Sequence, residues 1–289
     1  MQIGGNMKKT LIPLVLISLN LVSGQIHECA QNHDMGGILS ELHNGTEIDS
    51  RNEDGETALM IACAENNNHI VRELIRLGAN MDAQDTNGST PLMIAIENNQ
   101  LGNVLTLIFS NANRNLADYA GETPLLKSIS TNNSIYTDLL LQYNVDVTST
   151  NYAGETTLMK AASLGLLNHV RNLITHAAFK PNYFSFINAQ DICKTTALLY
   201  AIESSHEDIA IILLQYGADP NICDDLGKTP LMEAADQGLD DLIDQLIIYG
   251  ANINAKDKFG RTALKYSINT PNSDDNPNTS FRLMQMGAI

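Results

Sequence analysis

Apolar residues recur along this chain in one arrangement, seen most cleanly between positions 224 and 254. Leu231, Ala234 and Ala235 fall at helical spacing, and Leu242, Ile243, Leu246 and Ile247 mark the apolar stripe of a second helix. Polar and special residues punctuate the pair. Asp224-Asp225-Leu226-Gly227 reads as a tight turn whose glycine takes positive φ. Thr229 is placed to cap the first helix, Pro230 stands at its first turn where a missing N–H costs nothing, and Gly250 ends the second helix as a left-handed cap. The alanines are small enough to let neighbouring helices approach. Such a pair of short helices cannot bury its apolar face alone, whereas stacked copies can.

The arrangement is periodic. Anchored on the polar residue three before each tip glycine, the copies begin at Asn52, Asp85, Asp118, Asn151, Asp191, Asp224 and Asp257, 33 residues apart except for one step of 40 before Asp191. The glycines are Gly55, Gly88, Gly121, Gly154, Gly227 and Gly260, and the fifth copy has Lys194 in that place. The period and the Gly-x-Thr-Pro-Leu phrase resemble the ankyrin repeat. That resemblance implies an all-α repeat protein: an ankyrin solenoid of helix-turn-helix units joined by β-hairpin or turn fingers, curved with a concave groove. It divides the chain into an N-terminal capping repeat at 25–51, repeats at 52–84, 85–117, 118–150, 151–190, 191–223 and 224–256, and a degraded C-terminal capping repeat at 257–289, broken by Pro271 and Pro277. Length alone would suggest two domains, but stacking predicts one elongated domain.

Residues 1–24 stand outside the period. Lys8 and Lys9 precede an apolar run from Leu11 to Val22, and Val22-Ser23-Gly24 offers small residues at a cleavage position. The pattern predicts a bacterial signal peptide, effectively starting at Met7 and cleaved after Gly24, with a buried N-terminal helix as the competing reading. Its core is short for a membrane span, and no cysteine follows for a lipid anchor. The expected setting is the periplasm, or secretion, with no membrane attachment after cleavage.

Charge narrows the partners. The chain has 17 basic and 33 acidic residues, and without its first 24 residues the net charge is −18. That field repels phosphate backbones and anionic membranes, so nucleic acid is not expected. It favours a basic protein partner, although the same acidity would serve simply to keep an elongated array soluble and monomeric.

Chemistry-bearing motifs are missing. There is no His-Glu-x-x-His, Gly-x-Ser-x-Gly or phosphate loop, and the seven histidines occupy different positions of the repeat. No enzymatic activity, cofactor or metal is expected. Four cysteines in an exported chain raise the question of disulfides. Cys29 and Cys63 fall nearly in register in adjacent units, as do Cys193 and Cys223 at adjacent turns. A disulfide needs Cα atoms within about 7 Å, and neighbouring helices pack about 8 to 10 Å apart, so both pairings are open and neither is required. Where the ankyrin family often has histidine after Thr-Pro-Leu, this chain has Met60, Met93, Leu126, Met159, Leu199 and Met232. Methionine there reads as inter-repeat packing rather than an oxidant sink.

The resemblance places partner binding at the turn tips and the start of each first helix. Carried over, the candidate partner-binding residues are Asp54, Glu56, Glu65, Asn87, Glu97, Tyr119, Glu122, Tyr152, Glu155, Ile192, Leu226 and Phe259, with Glu203 and Asp236 bordering them. The strip runs from acidic through aromatic and apolar to basic at Lys258 and Arg261. Apolar tips with charged neighbours suit a binding hot spot. The extra residues before Asp191 fall in an aromatic stretch, 177–187, containing Phe179, Tyr183, Phe184 and Phe186. Phe184 and Phe186 are candidates for binding, and covering of splayed helix ends is the equal alternative. Signal plus array implies a non-enzymatic scaffold that holds, inhibits or protects a protein, as exported bacterial ankyrin proteins with catalase-supporting or immunity roles do. A secreted factor engaging a host protein is the second reading.

Overall fold

The computed structural model describes residues 26–131, 133–178, 180–268 and 278–289. The signal-like segment, Phe179, Pro271 and Pro277 lie outside the described residues. Among those described, helices alternate with turns, and the fingers are turns with a single isolated bridge, Thr150 to Thr156. The architecture is the ankyrin solenoid that the resemblance implies.

By its internal contacts the chain falls into two compact units, Met1–Lys127 and Ser128–Ile289. In such an array each repeat packs on its sequence neighbours. The first unit holds α1 (residues 26–31), α2 (Met35–His43), α3 (Ala58–Ala64), α4 (Asn68–Arg76), α5 (Pro91–Glu97) and α6 (Leu101–Phe109). The division falls inside α7 (Pro124–Ser130). The second unit continues with α8 (Ser134–Gln142), α9 (Thr157–Ser163), α10 (Leu167–Ala177), α11 (Tyr183–Ile187), α12 (Ala197–Glu203) and α13 (Glu207–Gln215). It ends with α14 (Pro230–Gln237), α15 (Asp240–Ile248), α16 (Ala263–Ile268) and α17 (Asn278–Gln285).

Within each repeat the first helix packs on the second, and like packs on like between repeats: α3 on α5 and α4 on α6 in the first unit, α9, α12, α14 and α16 in series in the second. The core is the expected apolar stripe, with Leu231, Ala234, Ala235, Leu242, Ile243 and Leu246 all buried. Every first helix of a full repeat opens on a threonine. Thr57, Thr90, Thr123, Thr156, Thr196 and Thr229 each accept the N–H three residues on at 3.2 to 3.4 Å. The methionines complete four of these caps. Sδ of Met60, Met93, Met159 and Met232 accepts the cap threonine's own N–H at 3.3 to 3.5 Å, while all four side chains lie in the core. The sulfur therefore packs and caps at once, which fits the packing reading.

The aromatic excess before Asp191 has a definite use. It forms α11, in which Phe186 and Ile187 are buried, and Tyr183 donates its hydroxyl to the carbonyl of Tyr216 at 2.7 Å. Phe186 is thus a core residue and not a partner-binding one, because its face of α11 closes on the neighbouring helices. Phe184 points outward at 68% exposure. Among its described residues the segment covers neighbouring helices and leaves the Phe184 ring outside.

All four cysteines are free thiols, and neither pairing that the sequence left open is formed. Cys63 is sealed in the core, and burial pushes its thiol far above the ordinary range. Cys29 turns to Gly37, where its Sγ lies 2.5 Å from the place a Cβ would take.

Candidate partner-binding surface

Each tip is built by its anchor residue. Asp85 Oδ1 accepts the N–H groups of Asn87 and Ser89 at 2.8 Å, and its own N–H donates to Ser89 O at 3.1 Å. Asn52, Asp118, Asn151, Asp191, Asp224 and Asp257 close the same loop with residues two and four further on. The residues one and two after the anchor are left pointing away from the helices. Adjacent tips are stitched by backbone bonds. In the first unit these run from Thr86 to Asp54 O (3.1 Å) and from Tyr119 to Asn87 O (2.9 Å). In the second they run from Ile192 to Ala153 O (3.0 Å), Asp225 to Cys193 O (2.8 Å) and Lys258 to Leu226 O (3.0 Å).

That stitching lines up the second unit's apolar tips. Tyr152, Ile192, Leu226 and Phe259 are 77%, 73%, 47% and 68% exposed on four successive turns. The first unit presents a different face: Asp54, Asn87, Glu65 and Glu97 are exposed polar groups, and Tyr119 is its one aromatic tip. Tyr119 is held in place by Gly88, whose missing Cβ would lie 2.8 Å from the tyrosine ring. Gly88 has φ +82°, so the turn conformation and the ring contact both demand glycine.

Beneath the tips runs a polar row. The anchor's second side-chain atom meets the residue four or nine positions on. Asn52 and Asn151 donate to Glu56 and Glu155 at 2.8 and 3.0 Å. Asp118 receives Lys127 at 2.9 Å, and Asp191 and Asp257 accept the hydroxyls of Tyr200 and Tyr266 at 2.8 and 2.9 Å. Lys127 also reaches Glu97 at 2.9 Å and Glu122 at 3.1 Å. Burial lowers its pKa, but these three carboxylates more than reverse that and hold it above the usual lysine range. Asp257 resists burial in the same way: the Arg261 N–H and guanidinium, the Tyr266 hydroxyl and the Phe259 N–H bring it down to about 2. Arg261 stacks 4.8 Å from the Phe259 ring and 4.6 Å from Tyr266, and Lys228 lies 4.9 Å from Tyr266.

Several carboxylates named from the sequence are therefore satisfied within the protein. Glu56, Glu97, Glu122 and Glu155 all have internal donors. Glu203 differs. Desolvation and the nearby carboxylates Glu233, Asp224 and Asp191 push it above the ordinary range, and Lys228, itself bound to Glu233 at 2.6 Å and Asp236 at 2.8 Å, offsets this only in part. It is an exposed carboxylate lying among like charges.

The family comparison agrees with this geometry. A model of ankyrin repeats in three copies matches residues 26–118, 102–185 and 179–257. The chain belongs to the ankyrin-repeat family. No curated protein matches it. Ankyrin arrays serve as protein-binding scaffolds, and the tips described above are among the parts of this ankyrin chain that its own packing leaves exposed. What motif reading missed is the division among carboxylates. Part of the signal was present, since each of the two asparagine anchors, Asn52 and Asn151, is followed four residues later by the glutamate that it binds.

Proposed function

We propose that this protein is a non-enzymatic scaffold that binds a basic protein partner through the tips of its second unit. The observation that carries the reading is the run of four exposed apolar side chains, Tyr152, Ile192, Leu226 and Phe259, with Glu203 nearby, whose repulsion from neighbouring carboxylates Lys228 offsets only in part. Apolar anchors supply a desolvated centre, and an arginine or lysine of the partner would relieve the repulsion on Glu203. The polar face of the first unit adds attraction for a basic surface. The charge pattern and apolar run of residues 1–24 support export, which places the partner in the periplasm or beyond it. Holding, inhibiting or protecting that partner, as immunity and catalase-support proteins do, is the role this setting suggests.

The test compares two baits in a periplasmic extract, the chain lacking residues 1–24 and its Tyr152→Ala/Ile192→Ala/Leu226→Ala variant. The wild-type bait is expected to retain a basic protein, the variant to lose it at an unchanged melting temperature. Equal retention by both baits would remove the tips from the binding surface. An N-terminus at Gln25 on the protein isolated from cells tests export, and an uncleaved N-terminus would count against it.

A further inference from the structure

Helix pairs in this protein stack like on like, and α16 and α17 turn a stacking face to solvent. α17 is tied to α15 by Arg282, whose Nε donates to Asp244 Oδ1 at 2.8 Å, and by Thr279, whose hydroxyl donates to Asp240. Leu283 lies on the same side and is buried. At about 3.6 residues per turn, Met284 falls opposite that side with Phe281 next to it, and they are 51% and 60% exposed. α16 packs on α14 with Ala263 and Tyr266 buried, and its other side carries Ile268, 47% exposed, and the exposed Lys265. The outer face of a terminal repeat is ordinarily polar, because nothing stacks on it. This one offers Ile268, Phe281 and Met284.

The charge around that face is also unlike the rest of the chain. Lys256, Lys258 and Lys265 are exposed in and beside the repeat, and none has an ion-pair partner among the described residues. Residues 257–289 hold four basic and three acidic residues, against 17 and 33 in the whole chain, so this repeat reverses the sign of the protein. The N-terminal capping repeat is its counterpart. Residues 25–51 hold five acidic residues and one basic, and Glu28, Asp34 and Glu47 are exposed. On α2, Leu39 is 47% exposed between the exposed Gly36 and Ser40, an apolar group flanked by small ones on which large side chains can lie flat.

We propose that the occupant of the C-terminal face is a second copy of this chain, docked through its N-terminal capping repeat. Like-on-like packing sets the arrangement: α16 of one copy meets α1 of the next and α17 meets α2, so Phe281 and Met284 lie on Gly36, Leu39 and Ser40. The lysines then face an acidic cap, the pairing that charge complementarity favours. Two C-terminal faces brought together would instead set the same lysines against each other. The contact is heterologous, each copy offering one face of each kind, so assembly does not stop at two. It leaves the apolar tips free and does not depend on the partner-binding reading.

The experiment is sedimentation velocity with light scattering on the protein as isolated from cells, from micromolar to submillimolar concentration. The mean mass is expected to rise past that of a dimer. Phe281→Asp and Leu39→Asp, both at exposed positions, should each weaken association about tenfold or more at an unchanged melting temperature. Mixing the two variants restores one sound junction, the intact C-terminal face of Leu39→Asp against the intact cap of Phe281→Asp, and should give a complex that stops at two copies. Should an aspartate variant fail to fold, Lys265→Glu gives the same readout without touching the apolar packing, with association weakened about fivefold. A wild-type protein that stays monomeric throughout, or one that stops at dimers and is indifferent to Leu39→Asp, would overturn the proposal.

Discussion

Lys194 occupies the one tip where a repeat lacks its glycine, and it keeps the glycine's geometry at φ +61°. A side chain in that region costs about 1 to 2 kcal/mol, part of which glycine returns through its looser unfolded chain. Lys194→Gly is therefore expected to stabilise the protein by about 1 kcal/mol in urea denaturation. No gain would mean that the turn relaxes around the lysine. Glu203 carries a second residue-scale prediction. Its carboxyl is raised in the folded state by desolvation and then by Glu233, so its ionisation opposes folding. The stability it leaves intact is fully present below the unfolded pKa of about 4.3 and is lost as pH rises through the folded value. Glu203→Gln should raise the melting temperature at pH 7, with the advantage gone below about pH 4. A pH-independent difference would point to packing instead. These effects are local because each anchor, cap and tip closes within its own repeat or the next.

Most elements were legible in the chain before any coordinates, since cap threonines, prolines at the first turn and apolar stripes agree at each copy. The exception is α11. Its apolar residues fit two templates at once, Tyr183, Phe186 and Ile187 at helical spacing and Phe184 and Phe186 in alternation, so over so short a run spacing alone does not say which ring turns inward. Packing decides it: Phe186 is 4% exposed and Phe184 68%. The candidate site was partly legible for a related reason. Residues one and two after an anchor must point outward, so Tyr152, Ile192, Leu226 and Phe259 followed from register. Which glutamates stay free depends on contacts across the turn, as the Asn151–Glu155 bond shows. The α11 assignment predicts an asymmetric pair of substitutions. Phe186→Ala should cost about 3 to 5 kcal/mol by urea denaturation, and Phe184→Ala should lie within about 0.5 kcal/mol of wild type. Similar costs for both would reject the orientation of α11.

At the scale of the whole molecule, charge and apolar tips act on different stages of the same encounter. A net charge of −16 is spread over many residues, so it acts at long range and on approach rather than in the final contact. Such fields raise association rates and are screened by salt, whereas desolvated anchors govern how slowly a complex comes apart. Tyr152, Ile192, Leu226 and Phe259 are short-range groups and have no influence before contact. With the captured partner in hand, surface plasmon resonance should therefore separate the two contributions. Raising salt from about 0.05 to 0.5 M shortens the screening length several-fold and should lower the association rate by about tenfold or more, with little change in dissociation. Ile192→Ala and Leu226→Ala should do the reverse, speeding dissociation and sparing association. A salt-insensitive association rate would show that the acidity maintains solubility and does not select the partner. Tip variants that slow association without changing dissociation would instead place the apolar row in an encounter step, outside the final interface.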